Sequence, residues 1–292
     1  QTFFFIGCLG AYLARLRKVP LFFTYHTRFT EYAHYMPVHQ RVTKAQAVWI
    51  SREFCNRCDR IIAPTLGTVE LLHSYGVDRP VSIIPSGVDV HGFDHDAPTP
   101  AVIAQARPGL VLLYAGRLAK EKNLDLLLDA FSLFHDRRPD AHLVVVGDGP
   151  HRAELEQRTQ AAAWGALVHF VGELPQRELG PYYRDADAFV FASTTETQGL
   201  VLLEALAHGL PALAVDCAVT REVVGQDAGI LTGASAADLA QAFAEFADES
   251  PQRRELRRVA ALDAAAPLSV DTLATDLEEL YLQAASRLTA AH

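Results

Sequence analysis

Two glutamates eight positions apart, Glu196 and Glu204, stand in the run ETQGLVLLE. Glu204 falls inside GLVLLEALAHGLPAL, an otherwise apolar stretch of helical character. A carboxylate in such surroundings is rarely buried without a partner, because desolvation is costly. Ligand hydroxyls would supply one, and a structural salt bridge is the alternative. Gly199 permits close backbone approach, and the amides of Gly199 and Leu200 would open a helix toward an anion. Upstream, GRLAKEKN (116–123) puts Arg117 and Lys122 just before or at a helix start. Cations there oppose the helix dipole, a penalty that a bound phosphate would reverse. Two solvated basic side chains are the plainer alternative. GDGP (147–150) is a tight turn able to pass beside a flat base, though most such turns are only turns. His26, in TYHTRF, follows a strand-like run; a lone histidine is more often structural.

Other groupings carry less. Cys55 and Cys58 have the spacing of a redox pair or half a zinc site, but no second CxxC accompanies them. Asp185 and Asp187 imitate a metal-holding DxD, yet they precede a strand, on the edge of the sheet away from ligands. They read as the solvated start of that strand, and no metal site is expected. His34 and His39, beside Tyr32 and Tyr35, suit either an acceptor wall or helix packing. GDGP lacks the third glycine of a dinucleotide fingerprint, and there is no P-loop lysine motif.

Positioning these residues requires strands that end together. Apolar runs of strand length occupy 21–25, 60–63, 81–84, 110–115, 142–147, 167–171, 188–192, 211–215 and 229–232. Between most of them lie segments of helical spacing, such as 124–135 and 152–163. Near-continuous apolar strands alternating with helices predict parallel sheets covered on both faces. Ligands of such sheets bind beyond the carboxyl ends of the strands, which is where 116–123, 147–150 and 196–204 fall. A break rich in Pro and Asp at 94–108 reads as a linker. After it, six strands suffice for a complete doubly wound domain over 108–267. Before it, residues 1–95 show only three strands, so the first domain reads as incomplete. Leu273, Leu277, Leu280, Tyr281 and Leu288 suit one long amphipathic helix over 269–290. The closing segment, 268–292, is expected to cross back to the first domain.

Composition sets the outer bounds. A chain of 292 residues, 50% hydrophobic, can bury one large or two ordinary cores. The net charge of -9 argues against a general nucleic-acid binder. Residues 1–60 nevertheless hold nine Lys/Arg against three acids, a local +6, which leaves -15 for the rest. A basic lobe of this kind could dock on an anionic membrane surface or an acidic partner, or be ordinary surface charge. No apolar run approaches the ~20 residues of a membrane span. The uncharged start, 1–14, is followed by Arg15, Arg17 and Lys18, the wrong order for a secretory signal, and reads as a buried amphipathic helix. Four cysteines make no disulfide framework, so a reducing cytoplasm is expected.

Taken in order, GRLAKEKN, VVVGDGP, VHFVGEL, ETQGLVLLE and AHGLPALAVD resemble the nucleotide-sugar domain of glycosyltransferase family 4, a group of retaining enzymes. The sharpest element is the EX7E pair, Glu196 and Glu204. The resemblance implies an α/β chain of GT-B fold, with two Rossmann-like doubly wound parallel-sheet domains, the first incomplete. It implies that Arg117 and Lys122 meet the donor diphosphate, with Gly116, Gly199 and Leu200 among the donor-binding residues. Glu196 would hold sugar hydroxyls, Glu204 the ribose, and the loops at Gly147 and Gly172 would frame the base. IPSGVD (84–89) resembles the family's segment near the domain junction, and His26 stands where members keep a histidine facing the donor. His26, Arg117, Lys122 and Glu196 are therefore the expected catalytic set.

TYHTRFTEYAHYMP together with TETQGL is similar to bacterial enzymes that glucosylate diacylglycerol. That narrower resemblance implies UDP-glucose as donor substrate, a lipid acceptor, no separate cofactor, and a peripheral place at the inner face of the membrane. A mannose donor, a soluble acceptor, or a non-catalytic nucleotide-sugar-binding remnant are the competing expectations. Family members open with a strand and a glycine-rich loop that have no counterpart here, so a fragment or a truncated relative is expected. Departure of the diphosphate would be stabilised by the two cations and the helix amides. With both glutamates committed to donor hydroxyls, neither is an obvious nucleophile of the glycosidase kind. The family's same-face route, in which a donor phosphate oxygen takes the acceptor proton, is what the resemblance implies.

Overall fold

A computed structural model of the chain describes residues 5–27, 40–94 and 96–289. His34, His39, Tyr32 and Tyr35 lie outside the described residues. The chain forms two compact units, one made of 1–87, 195–198 and 270–292, the other of 88–194 and 199–269.

In the first unit β1 (Phe22–Thr24), β2 (Arg60–Ala63) and β3 (Val81–Ile83) form a parallel sheet in the order β1-β2-β3. They alternate with α1 (Phe5–Arg17), α2 (Gln40–Cys55) and α3 (Leu66–Ser74). Phe23, Ile61 and Ala63 pack on Phe54 and Cys55 of α2, with Cys58, Leu72 and Val77 closing the core. The CxxC pair is therefore core. Burial pushes each thiol up to about 12, so neither is poised as a thiolate. The last helix of the chain belongs to this unit as well, and Tyr281 meets Phe22 edge to face at 5.0 Å.

The helix expected at the start of the chain forms as α1, but its burial does not. Ile6 is 77% exposed and Tyr12 and Leu16 are each 60% exposed. Helical spacing determines which face is apolar. Burial needs a second surface, and among the described residues none covers this face. No helix among the described residues is long and apolar enough to cross a membrane.

The second unit is a six-stranded, all-parallel sheet. Its strands are β4 (Val111–Ala115), β5 (His142–Val146), β6 (Val168–Gly172), β7 (Ala188–Phe191), β8 (Ala212–Val215) and β9 (Gly229–Thr232), ordered β6-β5-β4-β7-β8-β9. Chain order reverses between β4 and β7, the switch point of a doubly wound sheet. Alternation within strands feeds two cores. Leu112 and Tyr114 of β4 face one side with Leu127, Phe131 and Phe134 of α5 (Leu124–His135). Val111, Leu113 and Ala115 face the other, with Leu202, Leu203 and Leu206 of α8 (Leu200–Ala207). Each such fully buried side chain contributes on the order of 1.5–3 kcal/mol relative to exposure.

The remaining helices are α4 (Ala101–Ala106), α6 (Arg152–Gln160), α7 (Gly180–Asp185), α9 (Ala218–Val224), α10 (Ala236–Ala247), α11 (Pro251–Ala265) and α12 (Val270–Thr289). In α12, Leu273, Leu277, Leu280 and Ala284 form the less exposed stripe, at the spacing of one helical face. The nine strands among the described residues coincide with the nine apolar runs to within a residue or two.

Candidate functional site

The carboxyl ends of β4, β5 and β6 are knit together by backbone. Gly116 N–H donates to Val146 O at 3.0 Å, Gly147 N–H to Gly172 O at 2.7 Å, and Leu118 N–H to Asp148 O at 2.9 Å. Only glycine fits at 147. Its φ is +132°, and a Cβ there would stand 1.9 Å from the Gly116 carbonyl oxygen. The three turns thus pack closely enough to shape one wall of a cleft of about 600 Å³. Gly116, Arg117, Asp148, Glu173, Leu179 and Val201 are among its lining residues.

Arg117 is exposed, and its backbone carbonyl accepts the Tyr114 hydroxyl at 3.1 Å, which fixes the turn that carries it. Lys122 ends a short 3-10 turn, Lys120–Lys122, directly before Asn123, which caps α5 in a left-handed conformation. Lys122 is half-buried and does not line the cleft. Gly172 lies one residue before Glu173 and meets the cleft only through its carbonyl bond to Gly147.

Across the switch point, Gly199 caps α8 at φ +74° and ψ +58°, a conformation that opens the first amides of the helix. Val201, on the first turn of α8, lines the cleft, and Leu200 beside it is exposed. Glu204, a turn further on, is half-buried. The Gln176 side-chain amide donates to its Oε1 at 3.0 Å and the Tyr183 hydroxyl to its Oε2 at 2.9 Å. The salt bridge considered as an alternative is not what holds it, since both partners are neutral. Burial pushes the Glu204 carboxyl above its ordinary value, and the two hydrogen bonds pull it back.

His26 lies in the first unit, and Glu196 groups with it there, an association that sequence reasoning missed. The short segment 195–198 clusters there although it lies between β7 and α8 in sequence. Thr65 Oγ1 donates to Thr197 O at 2.9 Å. Gln198 and Ser86 exchange two hydrogen bonds, Ser86 N–H to Gln198 Oε1 at 2.8 Å and Gln198 Nε2 to Ser86 O at 2.7 Å. Thr197 Oγ1 donates to His26 O at 2.7 Å. Burial holds the His26 imidazole below its usual value, which favours the neutral ring. Gln198 is buried at 4% exposure, but in the sequence it is only one polar residue beside two more conspicuous glutamates.

Asp185 and Asp187 are engaged structurally rather than solvated. Arg184 pairs with Asp185 at 2.6 Å. Arg107 pairs with Asp187 at 2.7 Å, and Val111 N–H donates to the same carboxylate, tying the amino ends of β4 and β7 together. Among the described residues no group of three or more His, Cys, Asp or Glu could hold a metal ion.

Two parallel-sheet units, the larger wound 3-2-1-4-5-6 with a cleft at its switch point, define the GT-B class of fold. Residues 101–262 match the family described as glycosyl transferases group 1, and residues 1–91 match glycosyltransferase family 4. The chain belongs to this glycosyltransferase family. It is 34% identical over 221 residues to the alpha-monoglucosyldiacylglycerol synthase of Streptococcus pneumoniae, covering 73% of this chain and 50% of that protein. Identity to the enzyme of the same name from Acholeplasma laidlawii is 30% over 223 residues, covering 72% of this chain and 56% of that protein. The chain thus spans about half the length of these relatives. Sucrose-phosphate synthase from Thermosynechococcus elongatus shares the fold, with a TM-score of 0.81 at 24% identity over 98% of this chain and 72% of that one.

Proposed function

We propose that this chain transfers a hexose from a nucleotide-diphosphate sugar with retention of anomeric configuration, and that the reaction moves glucose from UDP-glucose to a diacylglycerol-type lipid. The observation that carries the reading is the cleft at the carboxyl ends of β4, β5 and β6, with Arg117 on its rim, in a chain of this family. The names of the two bacterial relatives support glucose and the lipid acceptor. The reading divides labour between an acceptor-side domain, 1–95, and a nucleotide-sugar domain, 108–267.

In this reading Arg117, Lys122 and the amides opened by Gly199 and Leu200 receive the diphosphate, and Gly116 belongs to the donor site beside them. Its developing charge is stabilised by groups fixed before the reaction begins. Glu204 holds the ribose, Glu196 the sugar hydroxyls, and the turns at Gly147 and Gly172 frame the base. The bond from sugar C1 to the diphosphate oxygen breaks, and the acceptor oxygen bonds to C1 from the same face. The acceptor proton passes to a phosphate oxygen of the departing diphosphate. His26, at the carboxyl end of β1 with burial favouring its neutral ring, is the histidine that the family resemblance assigns to the donor. A bilayer-bound acceptor suits a peripheral place at the inner membrane face, supported by the exposed apolar side of α1 next to Arg15, Arg17 and Lys18.

The direct test is incubation with labelled UDP-glucose and diacylglycerol vesicles, with and without EDTA. An α-linked glucosyl lipid formed equally under both conditions is expected. Transfer only to a soluble acceptor, or only with added divalent cation, would contradict the acceptor or the metal-free account respectively.

A further inference from the structure

Glu204 is anchored by its neighbours in a way the transfer reaction does not by itself require. Each carboxylate oxygen has two lone pairs, and here each accepts one protein hydrogen, from Gln176 and from Tyr183. Two acceptor positions remain, one per oxygen, the number that a pair of vicinal hydroxyls needs. Among the described residues no Lys, Arg or His forms an ion pair with this carboxylate, so its charge is oriented without being cancelled.

The surroundings are accounted for element by element. On the turn that carries Gln176, Arg177 and Glu178 pair with each other at 3.7 Å. On α8, His208 turns its Nδ1 to the Glu204 backbone carbonyl at 2.8 Å. On α11, Arg258 pairs with Glu255 at 2.7 Å. Behind α8, β7 and β8 present buried apolar side chains. Tyr183 is itself 1% exposed, held among Phe93, Phe189 and His208 with ring centroids at 6.1, 6.1 and 5.2 Å. Its hydroxyl therefore has a fixed direction.

We propose that Tyr183 and Gln176 are positioning residues for the donor: they hold the Glu204 carboxylate oriented, with two acceptor positions left for the ribose diol. The inference rests on the assignment of Glu204 to the ribose made above. Burial alone favours the protonated carboxyl, and the two donors oppose it. A protonated Glu204 spends one oxygen as a donor and can no longer accept from both hydroxyls. Donor binding should therefore weaken as pH falls through the Glu204 titration, and losing either partner should move that fall to higher pH.

The experiment is calorimetry of UDP and 2′,3′-dideoxy-UDP across the mildly acidic to neutral range. The proteins are wild type, Tyr183→Phe, Gln176→Leu and Glu204→Gln. Tyr183→Phe removes one oxygen from a packed ring and should fold, and Gln176 is exposed, which gives a second variant with little bearing on the core. Wild type is expected to prefer UDP. Both partner variants are expected to lose that preference from a higher pH downward, with UDP weakened about tenfold at the acidic end, as for loss of a hydrogen bond to a charged group. Dideoxy-UDP binding should change little. If wild type binds the two ligands alike, or Glu204→Gln keeps the wild-type preference for UDP, the ribose assignment falls and the inference with it. If wild type distinguishes them but the partner variants keep its pH dependence, or weaken both ligands equally, the positioning role alone is overturned.

Discussion

Thr197 Oγ1 donates to the backbone carbonyl of His26 at 2.7 Å, across 171 positions of sequence. The bond ties the segment that carries Glu196 to the carboxyl end of β1, within one compact unit. Thr65 and Gln198 hold the same segment by hydrogen bonds at 2.9 and 2.7 Å. In the proposed reading His26 and Glu196 serve the transfer, and reacting groups must be held close to their productive geometry, so the prediction is that Thr197 acts through the segments it connects. Thr197→Val should lower kcat on the order of tenfold while donor Kd stays near wild type, and Thr197→Ser should restore most of kcat. Equal losses in kcat and donor affinity, or no rescue by serine, would show that the hydroxyl has no positioning role.

A second prediction concerns pH and stability. His142 Nδ1 and His169 Nε2 lie 3.0 Å apart at the amino ends of β5 and β6, with the rings stacked at 5.3 Å. Desolvation holds both imidazoles below 6.5; Asp140, itself paired with Arg138, partly opposes this for His142, and His142 adds to it for His169. The unfolded chain therefore binds more protons in this window. Stability from the pair is complete above about pH 6.5 and declines as pH falls through that value toward the folded-state values. Melting temperature measured from neutral to mildly acidic pH should fall, and His169→Gln should flatten that fall. An unchanged slope in the variant would mean that other groups govern acid sensitivity.

Membrane docking gives the third. If the basic first lobe and the uncovered face of α1 serve a bilayer, the protein should bind phosphatidylglycerol vesicles at low salt. Binding should fall steeply toward about 0.15 M salt, where the Debye length is about 8 Å. Leu9→Asp and Leu13→Asp, both on the exposed face of α1, should weaken it further. Absence of binding at low salt, or binding indifferent to salt, would leave the charge asymmetry as ordinary surface composition.

Sheet architecture was legible because strands covered on both faces are written as near-continuous apolar runs. Val111 to Ala115 serve both cores of the second unit and could hardly read otherwise. The placement of Arg117, Gly147 and Gly199 beyond strand ends followed from the same reading. Three things were not legible. Pattern tells which side of α1 is apolar but not whether anything covers it. The partners of Glu204 lie 28 and 21 residues away, on a turn whose approach only the packed chain determines. The grouping of 195–198 with the first unit depends on long-range hydrogen bonds to Thr65, Ser86 and His26 that leave no local pattern.

The measurement that bears most directly on the account is calorimetry of UDP and of uridine against wild type, Arg117→Ala and Lys122→Ala. Arg117 on the rim of the cleft and Lys122 before α5 are assigned to the diphosphate, and the base is assigned to the glycine turns. Wild type should bind UDP well above uridine. Each variant should weaken UDP about tenfold or more, as for a lost charge-assisted hydrogen bond, and leave uridine nearly unchanged. Equal losses for both ligands, or a folded wild-type protein that does not bind UDP, would contradict the assignment of the cleft.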